Sequence, residues 1–451
     1  MGLFRKSSLL VGLLTAVLCF VGAAPRRPQP ITFPAGFLWG AATSAHQVEG
    51  GNYNNDYYLW EKAGKTADMA GIADDQYHRY AGDFDLAQQM NHNAFRMSIE
   101  WSRIEPTEGK FDYAQIQHYR DVLQSARDHG LKTFVTLHHF TNPIWVASQG
   151  GWSNDAMPEW FGAYASFVVP NIGDLVDFWL TVNEPNVTVL TGYIVGLTPP
   201  GKTDVSAAAH VLGNFLKGHA RAYRVIHAFY PNAKVGFAHH MRVFEGNTWW
   251  NIIDPLVASW IDTFWNSQLL QSIKTGHIYL DVPFVAHFEQ EWPELKGAID
   301  FIGVNYYTRD LIKVDLASAE KFDIMVKQGV PVNDLGWEIY PHGFYQVLMK
   351  AASFGWPVYV TENGIADAAD TMRRQFLCDH LKELAHARQD GADIRGYLHW
   401  ALLDNWEWIE GFRPRFGLVA VDYATQNRTI RASAQVLSEA ARTNTLKVCG
   451  L

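Results

Sequence analysis

The sequence predicts an α/β protein built as a single (β/α)8 barrel of the TIM type. Two observations carry that prediction. Eight short apolar, β-rich runs follow one another along the chain: Phe37 to Ala42, Ala94 to Ile99, Thr133 to Leu137, Asp177 to Val182, Lys234 to Ala238, Asp300 to Val304, Pro357 to Thr361 and Ile394 to Trp400. Stretches of helical periodicity separate them. The runs are continuous rather than alternating, as expected of strands buried on both faces in a parallel sheet. Between the second and third, Asp112 to His129 places Ile116, Tyr119, Leu123 and Ala126 on one helical face, and Gly130 supplies a stop. No low-complexity linker interrupts Ile31 to Leu446, so residues 31–446 read as one domain.

The first residues stand apart from that domain. Arg5 and Lys6 precede an apolar run from Leu9 to about Gly22, and small residues follow at Ala23 and Ala24. Residues 1–24 therefore read as a secretory signal peptide, 25–30 as a short Pro/Arg-rich linker and 447–451 as a C-terminal tail. The apolar run falls short of the ~20 residues that span a bilayer, so the expectation is a secreted or periplasmic protein with no membrane partner after cleavage. Cys378 and Cys449 then remain, and the sequence leaves their pairing open. Neither has a His or second Cys at metal-ligand spacing, so no metal and no organic cofactor are expected. The 451 residues carry 37 Lys and Arg against 46 Asp and Glu, a net charge of −9 without a long run of either sign, which argues against a nucleic-acid partner. Hydrophobics at 48% and aromatics at 14% exclude a disordered chain. Flat rings in that number suit the apolar C–H faces of sugars.

Barrel enzymes place their chemistry at the C-terminal ends of strands. Polar residues gather there: Gln47 after the first run, Glu100 after the second, His138 and His139 after the third, Asn183 and Glu184 after the fourth. Asn305 and Tyr307 follow the sixth, Glu362 and Asn363 the seventh, and Trp400, Glu407 and Trp408 end or follow the eighth. The ends of runs four and seven face each other across a barrel mouth, so Glu184 and Glu362 can share one pocket.

Thr181-Val182-Asn183-Glu184-Pro185 and Val360-Thr361-Glu362-Asn363-Gly364 resemble the acid/base and nucleophile motifs of glycoside hydrolase family 1, the β-glucosidase family. The resemblance runs along nearly the whole mature chain. It includes Phe37 to Thr43 with Gln47, Phe95 to Arg103, Asp300 to Tyr307, Leu402 to Trp408 and Arg415 to Gly417. It implies a retaining β-glycosidase that works by double displacement on a small β-glycoside or oligosaccharide. Glu184 would be the acid/base and Glu362 the nucleophile, with Arg96 and Tyr307 beside it. Gln47, His139, Asn183, Glu407 and Trp408 match the family's glycone-binding positions, and Asn305 and Trp400 face the same subsite. Phe140 and Trp406 depart from the pattern, standing where many members have Trp and Phe.

Other readings are weaker. Gly196 to Thr203 formally matches a phosphate-binding loop, but Pro199 and Pro200 remove two of the backbone donors such a loop needs. The 6-phospho-β-glycosidase branch lacks a carboxylate at the position of Glu407, and the myrosinase branch replaces the acid/base Glu with Gln. A transglycosylating enzyme and a non-catalytic sugar- or partner-binding relative remain as alternatives. Glucose and galactose differ only at the 4-OH, and Glu407 can accept from either, so glucoside, galactoside and fucoside all stay open. Asn186-Val187-Thr188 and Asn427-Arg428-Thr429 fit the glycosylation sequon.

Overall fold

The computed structural model describes residues 31–450, apart from 249, 283–285, 316 and 318–321. The signal peptide and linker expected over 1–30 lie outside the described residues. Eight strands, β1 (Leu38–Ala42), β2 (Ala94–Ser98), β3 (Lys132–His138), β4 (Phe178–Asn183), β5 (Val235–His240), β6 (Phe301–Tyr306), β7 (Val358–Asn363) and β8 (Ile394–Trp400), close into a parallel barrel. β1 and β8 complete the circle in register from Leu38↔Gly396 to Ala42↔Trp400.

Each predicted run is a strand, but β5, β6 and β7 continue two residues further than their apolar runs. Hydrophobicity ends where the barrel mouth becomes polar, whereas the backbone ladder persists, pairing His240 with Asn305 and Tyr306 with Asn363. Of three register shifts in the barrel, one falls between Leu180 and Asn183 on β4 and one between Val360 and Glu362 on β7. Such irregularities re-aim side chains, and these two lie beside the two carboxylates of interest.

Helix α1 (Tyr113–Asp128) matches its predicted span within a residue, buries Ile116, Tyr119, Leu123 and Ala126, and adds Val122. Asp112 caps it by accepting from the backbone N–H of Ala114 at 2.8 Å. Gly130 takes a φ of +76°, which ends the helix at little cost. Inside the barrel an aromatic cluster fills the lumen: Phe134 stacks on Phe178 with centroids 4.1 Å apart, and Phe301 and Tyr359 pack edge-on to them. That plug separates the C-terminal mouth of the barrel from the charged residues at its other end, such as Lys132 and Asp177.

The excursion between β5 and β6 carries elements that stand outside the barrel. It holds two helices, Ile253–Asp262 and Gln268–Thr275, and the hairpin of His277–Val282 with Ala286–Glu291. The strand Val243–Gly246 also lies here, pairing with Arg309–Val314 in a small separate sheet.

The pairing left open by the sequence is resolved. Cys378, on helix α2 (Arg373–Gln389), is bonded to Cys449 at an S–S distance of 2.03 Å. The tail is thereby anchored, and Asn444 adds bonds to Trp39 Nε1 at 3.0 Å and to the Phe33 carbonyl at 2.7 Å. Cross-links of this kind contribute about 2–4 kcal/mol. Cys449→Ser is expected to lower the midpoint of thermal unfolding, and reductant should lower that of the unmodified protein but not of the variant. Identical midpoints throughout would show that the bond carries no stability.

Candidate active site

The site is organised around Arg96, whose side chain on β2 is wholly buried. Its guanidinium donates from Nη1 to Glu362 Oε1 at 2.5 Å and to the Thr361 carbonyl at 3.2 Å, from Nη2 to Asn183 Oδ1 at 2.6 Å, and from Nε to Thr136 at 3.3 Å. One side chain thus reads strands β3, β4 and β7 from β2. A planar fork with five donors can do this, and an ammonium cannot.

Glu362 receives a second donor, the Tyr307 hydroxyl, 2.6 Å from Oε2. Burial first, then the charge of Glu362, holds that phenol well above its usual range, so it stays a donor. Two donors on separate oxygens suit an ionised carboxylate and fix its rotation. The close approach of β7 to β8 requires Gly364, where a Cβ would stand 1.8 Å from the Trp400 carbonyl.

Glu184 is built differently. It follows β4 directly, with φ +45° and ψ +58°, a left-handed conformation uncommon for a non-glycine residue. Its N–H donates 2.8 Å to the Ala238 carbonyl, and Pro185 starts a short helix after it. Strain of this kind persists where surroundings over-determine it. Among the described residues one donor reaches the carboxyl: Asn305 Nδ2, 2.7 Å from Oε1. Burial, and then the charge of Glu362, pushes Glu184 well above the usual carboxylate range, and the Asn305 bond offsets only part of this. The two carboxyl groups therefore sit in opposed surroundings, linked through Asn305, Asn183 and Arg96.

Around β1, β3 and β8 lies a second constellation. Gln47 Nε2 donates to Asn405 Oδ1 and the Trp406 carbonyl, both at 2.9 Å, and to Glu407 Oε2 at 3.3 Å. Trp400 Nε1 donates to Glu407 Oε1 at 3.1 Å. Burial pushes Glu407 up to about 8. The His139 ring lies nearly parallel to both Trp400 and Trp408, each 6.0 Å away. Asn183, whose oxygen is taken by Arg96, turns its amide N–H to His139 Nε2 at 3.3 Å, which leaves the ring proton on Nδ1. Burial and the nearby Arg96 hold that ring neutral. The two departures, Phe140 and Trp406, both pack against Trp408, at 5.0 and 5.7 Å.

All eleven residues singled out in the sequence thus gather at one end of the barrel. Three neighbours escaped notice. His46 stacks on Trp408 and is held by Glu61 and Asn55 at 2.9 Å each; Trp337 packs edge-on to Tyr307 at 5.8 Å. His240 ends β5, and the signal that exposed His139, paired histidines closing a strand, was equally present at His239-His240. Lys202 of the discarded phosphate motif is engaged with Ser153 Oγ at 2.9 Å. Of the sequons, Asn186 is buried with its amide donating to the His240 carbonyl at 2.8 Å, whereas Asn427 is exposed.

Residues 29–446 match the sequence profile of glycosyl hydrolase family 1. The chain belongs to that family. This family 1 member is 32% identical to a 1,4-beta-D-glucan glucohydrolase of Thermotoga neapolitana, over 92% of the chain and 99% of the relative. It is 33% identical to a beta-galactosidase of Pyrococcus woesei, over 88% and 94%. Among solved structures, the beta-glycosidase from Pyrococcus horikoshii superposes with a TM-score of 0.86 at 36% identity, covering 94% of this chain and 99% of that one. The protein is a retaining glycoside hydrolase of family 1, a β-glycosidase.

Two outcomes follow from the geometry. Arg96→Lys keeps the charge but not the fork; leaving Glu362 and Asn183 without their shared donor should cost about 2–4 kcal/mol in transition-state stabilisation, read as a fall in kcat/KM of about 30- to 1,000-fold. A variant within threefold of the parent would show that Arg96 does not organise the site. Glu407, raised in the folded state, makes the native protein bind more protons than the unfolded chain, so its contribution falls as pH rises from the ordinary carboxyl range towards about 8. Glu407→Gln should therefore unfold at a higher temperature than the parent at pH 8 and at a similar one near pH 4.5. A gain that is the same at both pH values would contradict this.

Proposed function

We propose that the protein is a secreted or periplasmic exo-acting β-glycosidase that releases terminal β-D-glucosyl residues, with galactosyl and fucosyl residues as the alternative glycones. The observation that carries the reading is the pair of carboxyl groups in opposed surroundings: Glu362 under two donors, one of them cationic, and Glu184 buried, strained and held protonated.

Glu362 attacks the anomeric carbon while Glu184 gives its proton to the departing oxygen. The ester that forms removes the charge of Glu362. Glu184, no longer beside an anion, then ionises readily and takes the proton of the attacking water. Asn183 reaches the sugar's 2-OH, where a hydrogen bond strengthens in the transition state. Glu407 accepts from the 4-OH and 6-OH, with Gln47 and Trp400 fixing its two oxygens. Trp408 faces the sugar ring. The Cys378–Cys449 bond supports export, because such bonds persist in oxidising compartments. Presence of both carboxylates argues against a binding-only relative. The glucan glucohydrolase and the beta-galactosidase among the relatives leave the glycone to experiment.

A panel of aryl β-glycosides differing only in the sugar tests the reading: the glucoside should be turned over with the highest kcat/KM, and hydrolysis of none of the panel would sink it. The pH profile of kcat/KM should be a bell. Its alkaline limb reports loss of the raised Glu184 proton. A profile flat from about pH 4 to 9 is incompatible with this pair.

A further inference from the structure

The fifth strand supplies neither of the two carboxyl groups and no part of the sugar grip, yet its last residue stands beside Glu184. β5 lies between β4 and β6, and His240 is the register partner of Asn305, which donates to Glu184. Side chains alternate along a strand. His239 accordingly turns to the Asn266 carbonyl on the outside, at 3.3 Å, while His240 faces the lumen. Its ring lies almost parallel to that of Tyr307, 6.2 Å away at 19°.

The protonation of that ring is fixed by its neighbour. An indole N–H can only donate, and Trp265 Nε1 stands 3.3 Å from His240 Nδ1, its ring edge-on at 87°. Nδ1 is therefore the acceptor, and the hydrogen sits on Nε2, on the far side of the ring from Trp265. Burial, with Arg242 and His239 close by, keeps the ring neutral. Nε2–H has no hydrogen-bond partner among the described residues, although His240 is only 5% exposed. A donor placed so deep gains most when a ligand atom accepts from it.

The circle of strands says which part of a substrate that is. Gln47, Trp400 and Glu407, the proposed grip on the 4-OH and 6-OH end of the terminal sugar, come from β1 and β8 or the loops after them, whereas Asn183 and Asn305 at its other end flank β5, which is four strands from β1. The acid must stand against the leaving oxygen, and His240 flanks the acid on the side away from the grip on the 4-OH and 6-OH.

We propose that His240 is a specificity-determining residue of the leaving-group side: its Nε2–H donates to a hydroxyl or ether oxygen of the aglycone, favouring hydroxylated leaving groups such as a second sugar over alkyl ones. The inference rests on the β-glycosidase reading and adds to it the class of leaving group. It involves no new chemistry, because a neutral donor orients the aglycone and leaves the proton transfer to Glu184.

The test compares kcat/KM for cellobiose and for an alkyl β-glucoside in the parent, His240→Leu, His240→Gln and Trp265→Phe. His240→Leu should lose about 10- to 100-fold on cellobiose and no more than about threefold on the alkyl glucoside. Inhibition by glucose, which occupies only the sugar grip, should be unchanged and shows that the site is intact. His240→Gln places an amide N–H near the position of Nε2 and should recover most of the loss. Trp265→Phe, which frees the tautomer, should fall between. An equal loss on both substrates, or an unaltered rate on cellobiose, overturns the assignment. If the parent prefers galactosides, lactose and an alkyl β-galactoside replace the pair, so failure of the glucosyl reading leaves this test intact.

Discussion

Arg96 is the residue on which the other parts of the site depend. It is the cation at the centre of a barrel mouth crowded with carboxyl groups, and it is wholly buried. A charge so placed is costly unless it is paired and hydrogen-bonded, and here four of its five N–H donors end on Glu362, the Thr361 carbonyl, Asn183 and Thr136. The match determines more than the charge of Glu362. Because Arg96 takes the oxygen of Asn183, the amide N–H of Asn183 must face His139, and that contact in turn sets which nitrogen of His139 carries its proton. Hydrogen-bond direction thus propagates from one guanidinium to the residues proposed to touch the sugar.

The second constraint is the difference in solvation between the two carboxyl groups. Glu362 has two strong donors, and Glu184 has one amide. The backbone enforces the difference. A left-handed residue immediately after β4, with a register irregularity before it, turns the Glu184 side chain into the buried space beside Asn305. The same fold that places two donors on a carboxyl group on β7 makes one hard to ionise beside β4, and retention of configuration needs two carboxyl groups with separate roles.

Much of this was legible in the sequence because the barrel writes itself plainly. Eight apolar runs became eight strands, and polar residues at their ends became the site. What escaped had physical reasons. Strands β5 to β7 extend past their apolar runs because backbone pairing does not stop where side chains become polar. His240 sat in that unread extension. His46 immediately precedes Gln47 and acts on Trp408 through ring contact, which no spacing rule reveals. The cysteine pairing depends on where a C-terminal turn folds back against a helix, a matter of tertiary approach. The sequon at Asn186 illustrates the reverse case: the pattern is present, but the side chain is buried and already bonded.

The division of labour between Glu184 and Glu362 is what the mechanism requires above all, and azide separates the two most directly. With Glu362→Gly, azide can enter the vacated space and attack the anomeric carbon once, so the product should be the α-glycosyl azide. With Glu184→Ala and an aryl substrate whose leaving group needs little protonation, the sugar is first transferred to Glu362 and azide then displaces it, giving the β-glycosyl azide. Opposite anomers from the two variants are the predicted result. The same anomer from both, or parental rates without azide in either, would contradict the mechanism.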